Sequence, residues 1–159
     1  MPVKPWGTGP GHRSLRRGRW SLPHHAYLIT TVTHERNPIF RDLCVARILI
    51  HEMRYHEQSG WLRSLAWVVM PDHLHWLFIL ERSCSLAQLI KSLKGRSARS
   101  INGGLRRSGR VWQQSFHDHG VRDDEDLRVL ARYVVANPLR AGLVERLAEY
   151  PHWDAVWLD

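Results

Sequence analysis

Two periods of apolar residues alternate along the chain. Residues 26–33 (AYLITTVT), 62–70 (LRSLAWVVM) and 73–80 (HLHWLFIL) are short runs rich in β-branched, aromatic and leucine residues, and they predict strands. Pro71-Asp72 is turn chemistry, so the second and third runs form a hairpin. Residues 41–57 carry Leu43, Ile48, Leu49 and Met53 at helical spacing and predict an amphipathic helix that Ser59-Gly60 ends, after a loop at 34–40. Ser85 caps a second helix running to about residue 99, with Leu86, Ile90 and Leu93 inward. Residues 101–109 (INGGLRRSG) read as a loop and 110–117 (RVWQQSFH) as a strand. Four acids, Asp123 to Asp126, complement the dipole at the start of a helix carrying Leu127, Leu130, Ala131, Val134 and Val135, which Pro138 ends. A further short helix is expected over 139–149.

The order β-α-β-β-α-β-α within one small domain argues an α+β fold with an antiparallel sheet, and its first six elements match the ferredoxin-like split β-α-β pattern. Three segments are expected: a basic N-terminal tail over 1–25, broken by Gly7, Gly9, Gly11, Pro2, Pro5 and Pro10; one domain over 26–149; and a C-terminal tail over 150–159, placed either on its own domain or across a binding groove.

Composition narrows the class. At 159 residues, 43% hydrophobic and 24% charged, the chain is an ordinary globular domain rather than a collagen-like, coiled-coil or disordered one. No apolar run is long enough to cross a bilayer, so no membrane partner is expected. The absence of an apolar segment behind the basic N-terminus predicts no secretory signal. Cys44 and Cys84 form no CxxC, and a reducing, cytoplasmic location is expected.

Charge points to a partner. The net charge is +8, and 12 of the 23 Lys and Arg lie in two stretches without a single acid. Residues 1–20 hold Lys4, Arg13, Arg16, Arg17 and Arg19; residues 91–110 hold Lys91, Lys94, Arg96, Arg99, Arg106, Arg107 and Arg110. Such local excess, rich in Arg, suits a polyanion with phosphate groups, against the plainer reading of a solvated tail and helix face.

Chemistry concentrates in two places. His73 and His75 lie two apart in a predicted strand and therefore share a face, where two imidazoles could hold one metal ion, or could simply bond to the backbone at a sheet edge. Tyr133 and Asn137 are one helical turn apart and share a helix face. A phenol can act as a nucleophile, and an amide oxygen is a ligand that a divalent ion accepts; the plainer readings are a half-buried tyrosine and a helix C-cap.

The segments MPDHLHWLF (70–78), VWQQSFHDHGVRDDEDL (111–127) and ARYVVANPLRAGLV (131–144), with GRWSLPHHAYLITTVTHERNPIF (18–40) before them, resemble the REP-associated tyrosine transposases, single-tyrosine members of the HUH nuclease superfamily. The likeness covers about residues 18–145. It implies that His73, His75 and a third ligand at Asn137 hold a divalent cation, Mg²⁺ or Mn²⁺, and that Tyr133 is the nucleophile. It further implies cleavage of single-stranded DNA through a 5′-phosphotyrosine, with a 3′-hydroxyl leaving, at REP-type palindromes that fold into hairpins. On that reading Arg13, Arg16, Arg17 and Arg19 of the tail, Lys91, Lys94, Arg96, Arg99, Arg106 and Arg107 of the second basic stretch, and Arg140 contact DNA, and the protein is bacterial and nucleoid-associated. Trp6, Trp20 and Trp112 are candidate stacking platforms, whereas Trp67 and Trp76 read as core. Asp118 and His119 are assigned structural or DNA-contact roles rather than metal binding.

Three readings compete. The first is a metal-dependent nickase and strand-transferase. The second is a non-catalytic hairpin-binding regulator on the same scaffold, which would not need His73, His75 and Tyr133 intact. The third is a zinc-stabilised interaction protein, which would unfold on chelation. Both a monomer and a homodimer are compatible with the sequence.

Overall fold

The computed structural model describes residues 22–157. Five antiparallel strands form one sheet in the order β4-β1-β3-β2-β5, where β1 is Ala26–Val32, β2 Leu62–Met70, β3 His73–Leu80, β4 His117–Gly120 and β5 Trp153–Ala155. The inner order β4-β1-β3-β2, with α1 (Leu43–Gln58) between β1 and β2 and α2 (Leu86–Leu105) between β3 and β4, is the ferredoxin-like arrangement expected from the sequence.

Each face of the sheet has its own core. α1 and α2 cover one face, where Leu49 and Met53 of α1 and Leu89, Ile90 and Leu93 of α2 pack on Leu74, Trp76, Phe78 and Leu80 of β3. The other face is covered by α3 (Leu127–Val135), whose Leu130, Ala131, Val134 and Val135 pack on Leu28, Ala66, Val68, Met70 and Leu77. A bulge in β2 between Ser64 and Ala66 inserts one residue against β3. Leu62 accordingly belongs to the α1–α2 core while Val68 and Met70 belong to the α3 core.

Helix ends follow side-chain chemistry. Asp42 caps α1 by accepting from the Cys44 and Val45 amides. Ser85 and Gln88 form a reciprocal capping box on α2, and Asp126 caps α3. Of the four acids before α3 only Asp126 caps it; Glu125 turns back to His119 and to the Arg122 amide.

Four expectations need correction. α2 runs past residue 99 through the Gly103-Gly104 pair to Leu105, because Ile101 is buried in the α1–α2 core and carries the apolar stripe beyond the expected end. Residues 110–117 make only a single bridge, Trp112 to Thr33; the ladder to β1 begins at His117, since the polar residues between are spent on Lys94, whose ammonium donates to the Gln113 and Ser115 carbonyls. Over 139–149 there is no single helix: α4 (Asn137–Arg140) is one turn, and a 3₁₀ turn follows at Leu147–Glu149. The C-terminal segment takes the first of its two expected placements, on its own domain, but does so as a strand, with Trp153–Ala155 paired to β2 as β5. Of the expected N-terminal tail, residues 22–25 are also fastened: the Leu80 amide donates to the His25 carbonyl and the Leu22 amide to the Tyr27 hydroxyl.

Candidate active site

β3 presents His73, His75 and Leu77 to the face that α3 covers, and Leu77 packs into the α3 core. Val32 and Met70 flank His73 on the neighbouring strands, and Thr30 and Val68 flank His75. The two imidazoles meet edge to face with centroids 4.7 Å apart.

Each ring is oriented through its Nδ1. That of His73 bonds to the Asp72 carboxylate at 2.6 Å, and that of His75 to the Thr30 hydroxyl at 2.7 Å. Asp72 is in turn gripped by Arg36 at 3.2 Å. Arg36 is delivered by a turn in which Glu35 and Arg36 both adopt positive φ (54° and 52°), a conformation that costs energy in residues with side chains. Burial works against ionisation of Asp72, but His73 and Arg36 outweigh it and hold the carboxyl below its usual range. Burial, with His73 and Arg140 adding to it, pushes His75 down to about 3, so this imidazole is neutral near pH 7.

The consequence is chemical. With both Nδ1 atoms engaged, the Nε2 atoms are left without a partner among the described residues. Histidine metal ligands are commonly oriented in this way, by a carboxylate or other oxygen bonded to the ring nitrogen that does not face the metal. No group of three His, Cys, Asp or Glu side chains able to hold a metal occurs among the described residues. At Asn137, the third ligand expected from the sequence, Nδ2 donates to the Val134 carbonyl at 2.8 Å, which leaves Oδ1 as its acceptor. Asn137 thus performs the helix-capping task as well. Imidazole nitrogens and an amide oxygen are donors that suit a divalent cation of the Mn²⁺ or Mg²⁺ type.

Tyr133 lies on α3, one turn before Asn137. Arg140 on α4 folds back over it, with its guanidinium carbon 3.8 Å from the ring centroid and Nη2 donating to the Tyr133 carbonyl at 2.7 Å. Arg140 also acts electrostatically on His75. One arginine thereby links the tyrosine to the histidine pair. The sequence singled out Arg140 only as a phosphate contact, and nothing in the residue spacing announces the stacking. Asp72 and Arg36 were likewise missed; the signal for Asp72 was its place immediately before the HLH triplet.

The remaining sequence candidates are dispersed. Arg13, Arg16, Arg17, Arg19, Trp6 and Trp20 lie outside the described residues. Lys91, Lys94, Arg96 and Arg99 are on α2, with Arg106 and Arg107 just beyond its end, in the layer across the sheet from the histidines. Lys94 has the internal contacts given above. Arg96 pairs with the buried Glu52 at 2.8 Å and stacks over Tyr55 at 3.6 Å. Trp112 is 4% exposed, bonded to Ser97 and packed on Phe40, so it is core and offers no stacking surface. His119 is occupied by Glu125 at 2.9 Å, a structural pairing, while His117 is exposed on the same β4 edge.

Comparison with known proteins follows the same outline. Residues 21–137 match the family described as "Transposase IS200 like". The chain is 29% identical over 87 residues to the REP-associated tyrosine transposase of Escherichia coli K12, covering 54% of this chain and 50% of that one. A Haemophilus influenzae protein that carries the same name provisionally is 31% identical over 99 residues, 56% of each chain. The chain thus matches about half the length of these relatives. Among solved structures, that of a REP-associated tyrosine transposase bound to a REP hairpin superposes with a TM-score of 0.72 at 20% identity, over 85% of this chain and 79% of that one. At that identity the likeness speaks for the fold. No helix among the described residues is long and apolar enough to cross a membrane.

Proposed function

Because the chain belongs to the IS200-like transposase family, we propose that it is a metal-dependent single-stranded DNA endonuclease and strand-transferase acting on REP-like hairpins. The observation that carries this reading is the pair of imidazoles, each fixed through Nδ1 and free at Nε2, on the sheet face covered by the helix that bears Tyr133. The hairpin substrate is proposed from the similar fold that binds one.

In this mechanism the Tyr133 oxygen attacks the scissile phosphorus and forms a P–O bond while the bond to the 3′-oxygen breaks. The phenolic proton is given up to water, and the departing 3′-oxygen is protonated in turn. The product is a 5′-phosphotyrosine, which conserves the ester so that a 3′-hydroxyl can reverse the step and rejoin strands. A bound divalent cation would polarise the phosphate and orient it for in-line attack. His73 and His75 would hold the cation and Asn137 would add an oxygen donor, while Asp72 and Thr30 keep the two rings in register. Arg140 fixes the Tyr133 ring.

The test is a denaturing gel with REP-like hairpin DNA labelled at either end, run in Mg²⁺, Mn²⁺ or EDTA. A metal-dependent band, 3′-labelled and retarded by the mass of the protein, is expected. Tyr133→Phe should abolish that band and leave hairpin affinity within about twofold. A Tyr133→Phe protein that still cleaves defeats the mechanism, and a wild-type protein that binds tightly without cleaving favours the regulator.

A further inference from the structure

A groove of about 450 Å³ lies where α1 meets the β2–β5 edge, on the α1 side of the sheet. Arg47, His51 and Arg54 of α1 line it, at the i, i+4, i+7 spacing that puts side chains on one stripe. All three are exposed, and none has an ion-pair partner among the described residues. The Trp67 ring lines the groove and remains partly exposed, because β5 is only three residues long and leaves the sheet edge thinly covered, whereas the Trp153 ring packs on the α3 side and donates to the Leu147 carbonyl. His152 lies buried beneath; burial lowers its imidazole and the Arg47 charge lowers it further, which places that guanidinium close to the groove floor. The single acid at the rim, Asp154, is turned toward its own chain and accepts from the Ala155 amide at 2.9 Å.

Guanidinium groups without acid partners among the described residues, beside an accessible indole, are a combination that binds nucleic-acid strands, with phosphates on the cations and a base on the ring. We infer that this groove is a second contact site for single-stranded DNA, in which Arg47 and Arg54 hold phosphates and a base lies against Trp67. This rests on DNA being the substrate, as proposed above, and adds a location that the histidine site does not contain. Trp153 is paired with Val68, and Val68 with His75, so the groove is at the same height along the strands as His75. Two strand spacings, about 10 Å, separate them across the sheet. A strand leaving the histidine face would round the short β5 edge to reach the groove, which assigns the site to nucleotides flanking the cleaved phosphate. An acidic peptide would satisfy the cations and leave the accessible Trp67 indole unexplained.

The full chain and its Arg47→Ala/Arg54→Ala and Arg47→Lys/Arg54→Lys variants would be titrated, by fluorescence anisotropy, with a blunt hairpin and with the same hairpin carrying a single-stranded extension. The wild type is expected to bind the extended hairpin about tenfold more tightly. The alanine variant should lose that increment and about two units of salt slope on the extended hairpin, with the blunt hairpin and Tm unchanged, and the lysine variant should keep most of it. An increment that survives the alanine pair, a wild type that gains nothing from the extension, or an oligoglutamate peptide that displaces the extension at lower concentration than a competing oligonucleotide would each overturn the inference. Adduct formation in the same samples separates the two ideas. No adduct with a groove-dependent increment removes the nuclease alone; adduct without that increment removes the groove alone.

Discussion

Arg96→Ala distinguishes a cation that serves the fold from one that serves a ligand. Arg96 reaches from α2 to the buried Glu52 of α1 with a 2.8 Å charge-assisted bond, and its guanidinium carbon is 3.6 Å from the Tyr55 centroid. Glu52 is 5% exposed and has one other side-chain donor, Ser100 at 3.4 Å. Truncation removes a bond to a charged group, about 1.5–3 kcal/mol. It also removes a largely exposed cation–π contact, about 0.5–1 kcal/mol. The expected loss is therefore about 2–4 kcal/mol, or on the order of 10 °C in Tm for a chain of this size. Urea denaturation followed by far-UV circular dichroism would measure it. Glu52→Gln in the Arg96→Ala background should recover part of the loss, since the stranded carboxylate is then neutral. Arg99→Ala, three residues along the same helix at an exposed position, should leave stability within about 0.5 kcal/mol. A destabilisation by Arg96→Ala no larger than that of Arg99→Ala would refute the reasoning and return Arg96 to the DNA-contacting set.

Other outcomes follow from single contacts. Asp72→Asn keeps the shape beside His73 but removes the charge, and should weaken Mn²⁺ binding measured by calorimetry about 10–100-fold; equal affinity would discount the orienting role. Ser85→Ala should cost about 1 kcal/mol in the same urea titration by removing half of the capping box, and no loss would mean that α2 is held by packing alone. Burial holds His56 and His152 below their ordinary value of 6.5, so the folded state binds fewer protons than the unfolded one. Stability should therefore be nearly flat above about pH 6.5 and fall as pH drops below that value; a flat profile down to pH 5 would contradict the assigned burial.

Local signals carried much of the fold and part of the site. Helices α1 and α2 were legible because each buries one face and so imposes its period on the sequence, and the hairpin from Leu62 to Leu80 because its strands, covered on both faces, are near-continuous apolar runs broken only at Pro71-Asp72. The shared face of His73 and His75 follows from the two-residue repeat of a strand. What was illegible depends on partners remote in the chain. β5 is three residues whose strand character exists only through pairing with β2. The basic stretch read as uniform, because no periodicity tells that Arg96 meets Glu52 across 44 residues while Arg99 meets solvent. Likewise Trp67, a core residue by its neighbours, is partly exposed because the strand beside it is so short.

The bulge in β2 also governs which changes of length the chain can absorb. Leu65 is the extra residue, so its loss would straighten the ladder and leave Val68 beside His75 and Met70 beside His73. A deletion at Trp67 or Val68 would instead shift the register by one downstream of the cut, and in a strand that turns every later side chain to the opposite face. The positions flanking the imidazoles would then pass to residues whose side chains had faced α1. A gap placed at residue 65 in an alignment of this chain with a relative is structurally silent at the histidine site, whereas the same gap two residues later describes a different molecule.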